Sequence, residues 1–208
     1  MPLFLPPDIE ANAEQIVQRV GSESVAVYRF LDRSYKERDP QINSVFQFVF
    51  RSFYRLDNAG LTDEFKSRYF EILSQAKSAS STSLGEVVRS LFELPNRKGQ
   101  PSLQFSFATK LVATVDSSLP IYDAEVAAIF GFRAPYNYRP FEQRLQEYQR
   151  FYYELQKLFQ SIIQNGELKS SRALFRKTYQ CTEVEVSESK VIDFLFWSAG
   201  KLSREAAQ

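Results

Sequence analysis

The chain has 208 residues, 44% of them hydrophobic and 25% charged, with a net charge of +1, so it is long enough to bury a real core and its overall charge names no partner. It has no histidine and one cysteine, Cys181, which excludes Ser-His-Asp and Cys-His sites, histidine metal ligands, an intrachain disulfide and a cysteine zinc cluster. No cofactor or metal is expected. The lone cysteine, a start (MPLFLPPD) without a basic signal region and the lack of an apolar run of about 20 residues point to a reduced, cytoplasmic setting with no membrane span.

Asp8 is placed to cap a first helix through Ile9, Ala13, Ile16, Val17 and Val20, which Gly21 ends. Val25, Val27, Tyr28 and Leu31 form a second apolar segment, and the polar run from Asp32 to Pro40 reads as a loop. Ile42, Val45, Phe46, Val49, Phe50, Phe53 and Leu56 then step by three and four, with Phe48 and Tyr54 widening the stripe to suggest a helix buried on two sides. Thr62 caps a helix bearing Phe65, Tyr69, Ile72 and Leu73. The stretch Lys77 to Ser83 (KSASSTS) is the most linker-like, so any sub-domain boundary within a single domain over 1–208 falls near 77–83. Ser83-Leu84-Gly85-Glu86 is a capping-box pattern that opens a helix over residues 84–94.

An exposed bend at Asn96 to Gln100 precedes a mostly apolar helical segment with Phe107, Leu111, Ala113 and Val115. Asp116-Ser117-Ser118 stops it, and Pro120 leads to Asp123, a candidate N-cap for an apolar helix from Ala124 to Phe130. The clearest periodicity follows: Phe141, Leu145, Tyr148, Tyr152, Leu155, Phe159 and Ile162 mark a long helix that Gly166 terminates. The next helix carries Leu168, Leu174 and Phe175, with Lys169, Arg172 and Arg176 on another face. Residues 178–186 (TYQCTEVEV) hold the one period-two run, read as a short strand or extended loop. Ser187 caps a last helix from Lys190 to Lys201. Eight or nine helices and little strand make the chain all-α.

Residues 94–126 resemble the helix-hairpin-helix DNA glycosylase superfamily. Pro120-Ile121-Tyr122-Asp123-Ala124-Glu125-Val126 matches its Pro-x-x-Asp-x-x-Val segment, Ala108 opens the intervening helix, and Leu94-Pro95 with Gly99 stands at the hairpin. Asn96-Arg97-Lys98 and the residues from Gln100 to Phe105 enlarge that hairpin, leaving a degenerate helix-hairpin-helix-like centre over 84–132. The resemblance implies a nucleic-acid-associated protein with DNA as partner, Asp123 as its catalytic carboxylate, and Arg97, Lys98 and Gly99 as phosphate contacts. Ser106 stands where lyase-type members keep a lysine, so the implied activity is monofunctional base excision.

Each of these residues also has a plain structural role. Asp123 serves equally as a cap, and Arg97-Lys98-Gly99 as a solvated turn. Nine basic residues against four acidic ones between Arg133 and Lys177 suggest a phosphate stripe at Lys169, Arg172 and Arg176, or a solvated face. Tyr136, Tyr138, Tyr152 and Tyr153 suit base stacking or core filling. The alternative function is therefore a non-catalytic α-helical interaction scaffold on the same fold.

Overall fold

The computed structural model describes residues 6–79 and 82–206. The protein is all-α: among the described residues there are eleven α-helices, one 3-10 turn and no strand, with a single isolated bridge between Pro95 and Pro101. No helix is long and apolar enough to cross a membrane among these residues. The chain divides into two compact units, a discontinuous one (Met1–Val25 with Ser117–Gln208) and a central one (Ala26–Asp116). The 77–83 stretch lies inside the central unit. Its first three residues finish one helix and Ser83 caps the next, while Ser80 and Ser81 lie outside the described residues.

In the discontinuous unit the first expected helix is two, α1 (Pro6–Ala11) and α2 (Ala13–Val20). Asn12 divides them with a non-helical backbone (φ −112°, ψ 21°), and its backbone N–H and side-chain amide both donate to the Asp8 carbonyl, at 3.2 and 2.8 Å. Asp8 sits within α1 because Pro6 and Pro7 already start the helix, where a missing N–H costs nothing.

α3 (Ser22–Glu37) corrects the expected loop at Asp32 to Pro40. Val25, Tyr28, Leu31 and Tyr35 form one buried stripe, and Lys36 pairs with Asp32 at 2.7 Å, so the helix continues through the polar run.

The central unit is built on an aromatic core. α4 (Ser44–Tyr54) buries Phe46 and Phe50, whose rings meet Phe70, while Tyr69 also packs on Phe50; both acceptor rings come from α5 (Asp63–Ala79). Only one face of α4 is buried. Val45 and Phe48 are 59% and 64% exposed, and Ile42, in the turn before the helix, is 82% exposed, which corrects the expectation of burial on two sides. Thr62 Oγ1 accepts the Phe65 N–H at 3.2 Å and so caps α5 as expected. α6 (Leu84–Phe92) begins at Ser83, whose hydroxyl accepts the Glu86 N–H, and α7 (Phe105–Val115) follows the bend. The buried Tyr69 hydroxyl donates to the Phe107 carbonyl at 2.9 Å, fixing α5 to α7.

The discontinuous unit is organised around α11 (Glu188–Ala206), which is buried almost continuously from Ser189 to Gly200 and packs on α2, α8 (Ala124–Ile129), α9 (Phe141–Gln164) and α10 (Lys169–Tyr179). A helix apolar all round needs partners on every side. α9 turns its Leu145, Tyr152, Leu155, Phe159 and Ile162 stripe inward, a core face as its spacing predicts. α8 and α11 approach so closely that a Cβ on Gly200 would lie 2.4 Å from the Glu125 carbonyl oxygen. Glu10 reaches from α1 to the start of α10, accepting from the Ser170 and Ser171 N–H groups at 3.1 and 2.9 Å.

Residues 178–186 form no strand. α10 continues to Tyr179, Gln180 turns left-handed, and the Thr182 N–H and hydroxyl both donate to Glu185 in a closed turn. Among the described residues nothing pairs with this segment as a neighbouring strand, and a period-two pattern needs such a partner to become β-structure.

Candidate functional site

Asp123 ends a connecting segment, residues 117–123, that is tied to the helices of its unit. The Tyr152 hydroxyl donates to the Pro120 carbonyl at 2.8 Å, the Ile121 N–H donates to Asp193 Oδ1 at 3.0 Å, and the Ser187 hydroxyl donates to the Ser117 carbonyl at 2.7 Å. Asp123 is extended (φ −133°, ψ 153°), and its Oδ1 accepts the Glu125 N–H at 2.9 Å. That is the N-cap predicted from sequence. The next residue pair is held from above: Glu125 pairs with Arg204 of α11.

Behind this segment lies a buried pair that sequence reasoning missed. Lys190 and Asp193 of α11 are 8% and 5% exposed, with Nζ 3.6 Å from Oδ2. Burial pushes the Asp193 carboxyl up to about 6, against the opposing pull of Lys190 and the Ile121 N–H, and the nearby Asp123 charge pushes the same way as burial. Burial pushes the Lys190 ammonium down, with Asp193 and Asp123 resisting. The sequence signal was present: a lysine and an aspartate three apart, set in the run KVIDFLFW that leaves no polar face to hold them.

Tyr122 is buried against Phe132, Tyr148 and Phe151, all edge-on. Burial raises its phenol far above the usual range, with Tyr148 and Asp123 adding to the effect. The residues around Asp123 therefore consist of a cap, an ion pair and an aromatic cluster, all of which hold α8, α9 and α11 together.

Arg97, Lys98 and Gly99 lie in the central unit, whereas Asp123 lies in the discontinuous one. Their bend is closed on itself. The N–H groups of Asn96, Arg97, Lys98, Gly99 and Gln100 donate to Gln100 O, Gly60 O, Asn96 Oδ1, Asn96 O and Asn96 Oδ1 respectively. Gly99 supplies the positive φ of 73° that this loop needs. A phosphate-cradling nest needs N–H groups that point outward, and these five are spent within the chain. Arg97 Nε also donates to the Leu61 carbonyl at 3.1 Å. Lys98 is exposed.

Arg172 and Arg176 are brought together, but on a carboxylate. Arg172 Nη1 is 2.6 Å from Glu188 Oε2, Arg176 Nη2 meets Glu188 Oε1, and Arg176 Nη1 donates to the Val186 carbonyl at 3.1 Å. Burial by itself would raise Glu188, yet the two guanidiniums outweigh it and hold the carboxyl below its ordinary value. Lys169 is exposed at the first turn of α10, apart from this clamp. Of the four tyrosines singled out for stacking, Tyr152 is buried, while Tyr136, Tyr138 and Tyr153 are 65%, 81% and 56% exposed.

Comparison with protein-family models, with curated proteins and with solved structures found no match to this chain.

Proposed function

We propose that this chain is a non-catalytic α-helical binding module, in which Asp123 serves the fold and performs no base excision. The observation that carries this reading is the use already made of Asp123: its carboxylate caps α8, beside a buried Lys190–Asp193 pair that itself anchors residue 121. A catalytic carboxylate must reach the reacting atoms and stabilise charge that develops there. Several of the groups suggested as its DNA contacts have internal roles as well: the bend amides donate to Asn96, Gln100 and Gly60, and Arg172 and Arg176 pair with Glu188.

Monofunctional base excision with DNA as substrate is the competing reading, and the Pro120 to Val126 motif is what favours it. The test is release of damaged bases from duplex DNA by the full chain, over a broad panel of lesions. The module reading expects no release by the wild-type protein. It also expects Asp123→Asn to melt like wild type, because asparagine caps nearly as well, and Asp123→Ala to lose about 0.5–2 kcal/mol. Base release that disappears in Asp123→Asn, with the fold intact, would overturn it.

A further inference from the structure

The connector between α8 and α9 presents two tyrosine rings to solvent in a fixed arrangement. Tyr136 and Tyr138 are 65% and 81% exposed, and their rings stack with centroids 5.4 Å apart and planes 12° from parallel. One exposed aromatic is ordinary on a protein surface. Two held parallel make a flat, preformed surface with an open outer face.

Several contacts hold that arrangement in place. α8 ends in a left-handed Gly131 (φ 64°), with the Phe132 N–H returning to the Ala127 carbonyl at 3.0 Å. Phe132 then stacks on Phe151 of α9 at 4.3 Å, and Pro135 is buried. The Arg139 N–H closes a turn on the Tyr136 carbonyl at 3.1 Å, while its guanidinium pairs with Glu147. The loop is thus pinned on both sides of the stack, so a ligand has little ordering entropy to overcome.

The connector and the helix that anchors it also carry exposed arginines. Arg133, next to the Phe132 anchor, and Arg150, next to its Phe151 partner, are exposed and have no carboxylate partner among the described residues. A ring stack on a connector that also carries an uncommitted guanidinium, Arg133, with a second on the anchoring helix, Arg150, suits a ligand that alternates planar faces with anionic groups.

We propose that the Tyr136–Tyr138 stack with Arg133 and Arg150 binds single-stranded nucleic acid, a base extending the ring stack and the guanidiniums taking phosphates. The site rests on the reading of the chain as a binding module and names its partner. A duplex hides its base faces, so single strands are preferred over duplex of equal length. Every base has a π-face, so sequence preference is weak.

The experiment is fluorescence anisotropy of a labelled thymidine oligonucleotide of about 12 nucleotides with the full chain, at several salt concentrations. Wild type binds at low salt more tightly than to a duplex of the same length. Tyr138→Ala weakens binding about tenfold or more, whereas Tyr138→Phe, which keeps the ring, stays within about twofold. Arg133→Ala lowers the slope of log affinity against log salt by about 0.7. Melting temperatures of all three variants match wild type, because the rings and Arg133 are exposed. Absence of binding at low salt, equal binding by Tyr138→Ala, or preferential binding of a proline-rich peptide at these rings would each overturn the proposal. Base release by wild type would overturn the non-catalytic reading alone, and loss of strand binding alone would leave that reading standing.

Discussion

Glu188 and Asp193 stand on the same helix, α11, and each faces basic groups, yet their carboxyls move in opposite directions. Glu188 is 20% exposed at the side chain and receives two guanidiniums, so the charged form is favoured and its proton affinity falls. Asp193 is 6% exposed at the side chain and has one ammonium at 3.6 Å, with one backbone N–H, so burial prevails and its proton affinity rises. The number and quality of donors, set against the loss of water, decide the sign. Proximity of an opposite charge alone does not.

The largest effect comes from taking one member from the buried pair. Asp193→Ala takes the Asp193 carboxylate from the buried Lys190 charge and from the Ile121 N–H, and should cost about 3–5 kcal/mol in urea unfolding. The double change Lys190→Met with Asp193→Leu removes both charges and should cost markedly less than either single change. A double variant as unstable as Asp193→Ala would show that the charge itself was not the problem.

The two carboxyls also respond to pH with opposite sign. In the folded state the Asp193 carboxyl holds its proton more tightly than in the unfolded chain, so unfolding releases protons between about 3.8 and about 6. Its contribution to stability therefore falls as pH rises through that window, by an amount on the order of 3 kcal/mol over the whole shift. Glu188 has the opposite sign: its stabilisation is present above 4.5 and is lost as pH falls through its depressed folded value. Melting curves against pH for wild type, Asp193→Asn and Glu188→Gln should show each variant removing its own slope. Equal slopes in wild type and Asp193→Asn between pH 4 and 6 would refute the account of Asp193.

Gly200→Ala tests the close packing of α11 against α8. A Cβ there meets the Glu125 backbone at 2.4 Å, and backbone cannot yield as a flexible side chain can. The cost should be about 1–3 kcal/mol, read from the denaturation midpoint, with the dependence on denaturant unchanged. The smallest effect belongs to Lys169→Ala. Lys169 is exposed and lies outside the Glu188 clamp, so its loss should leave stability within about 0.5 kcal/mol, while Arg176→Ala should be clearly worse.

Much of the fold was legible from local pattern. The α9 stripe and the caps at Thr62, Ser83, Asp123 and Ser187 all rest on spacings of a few residues, and the corresponding bonds form. Local pattern failed where one residue was misjudged. Tyr35 continues the α3 stripe through a polar run that otherwise reads as a loop, and the non-helical backbone of Asn12 divides a helix whose apolar spacing is unbroken.

The all-α class, the helix starts and the inward face of the long helix follow from the sequence by itself, because they depend on neighbours three or four positions away. The fate of the charges was decided by tertiary structure alone. Arg172 and Arg176 look like a solvated or phosphate-binding stripe until Glu188 arrives 16 and 12 residues later. Asp193 looks like one acid in an apolar helix until the Ile121 N–H, 72 residues away, turns it into an anchor for the segment that carries Asp123. Desolvation and pairing depend on which distant groups fill the surrounding space, and no local spacing encodes that.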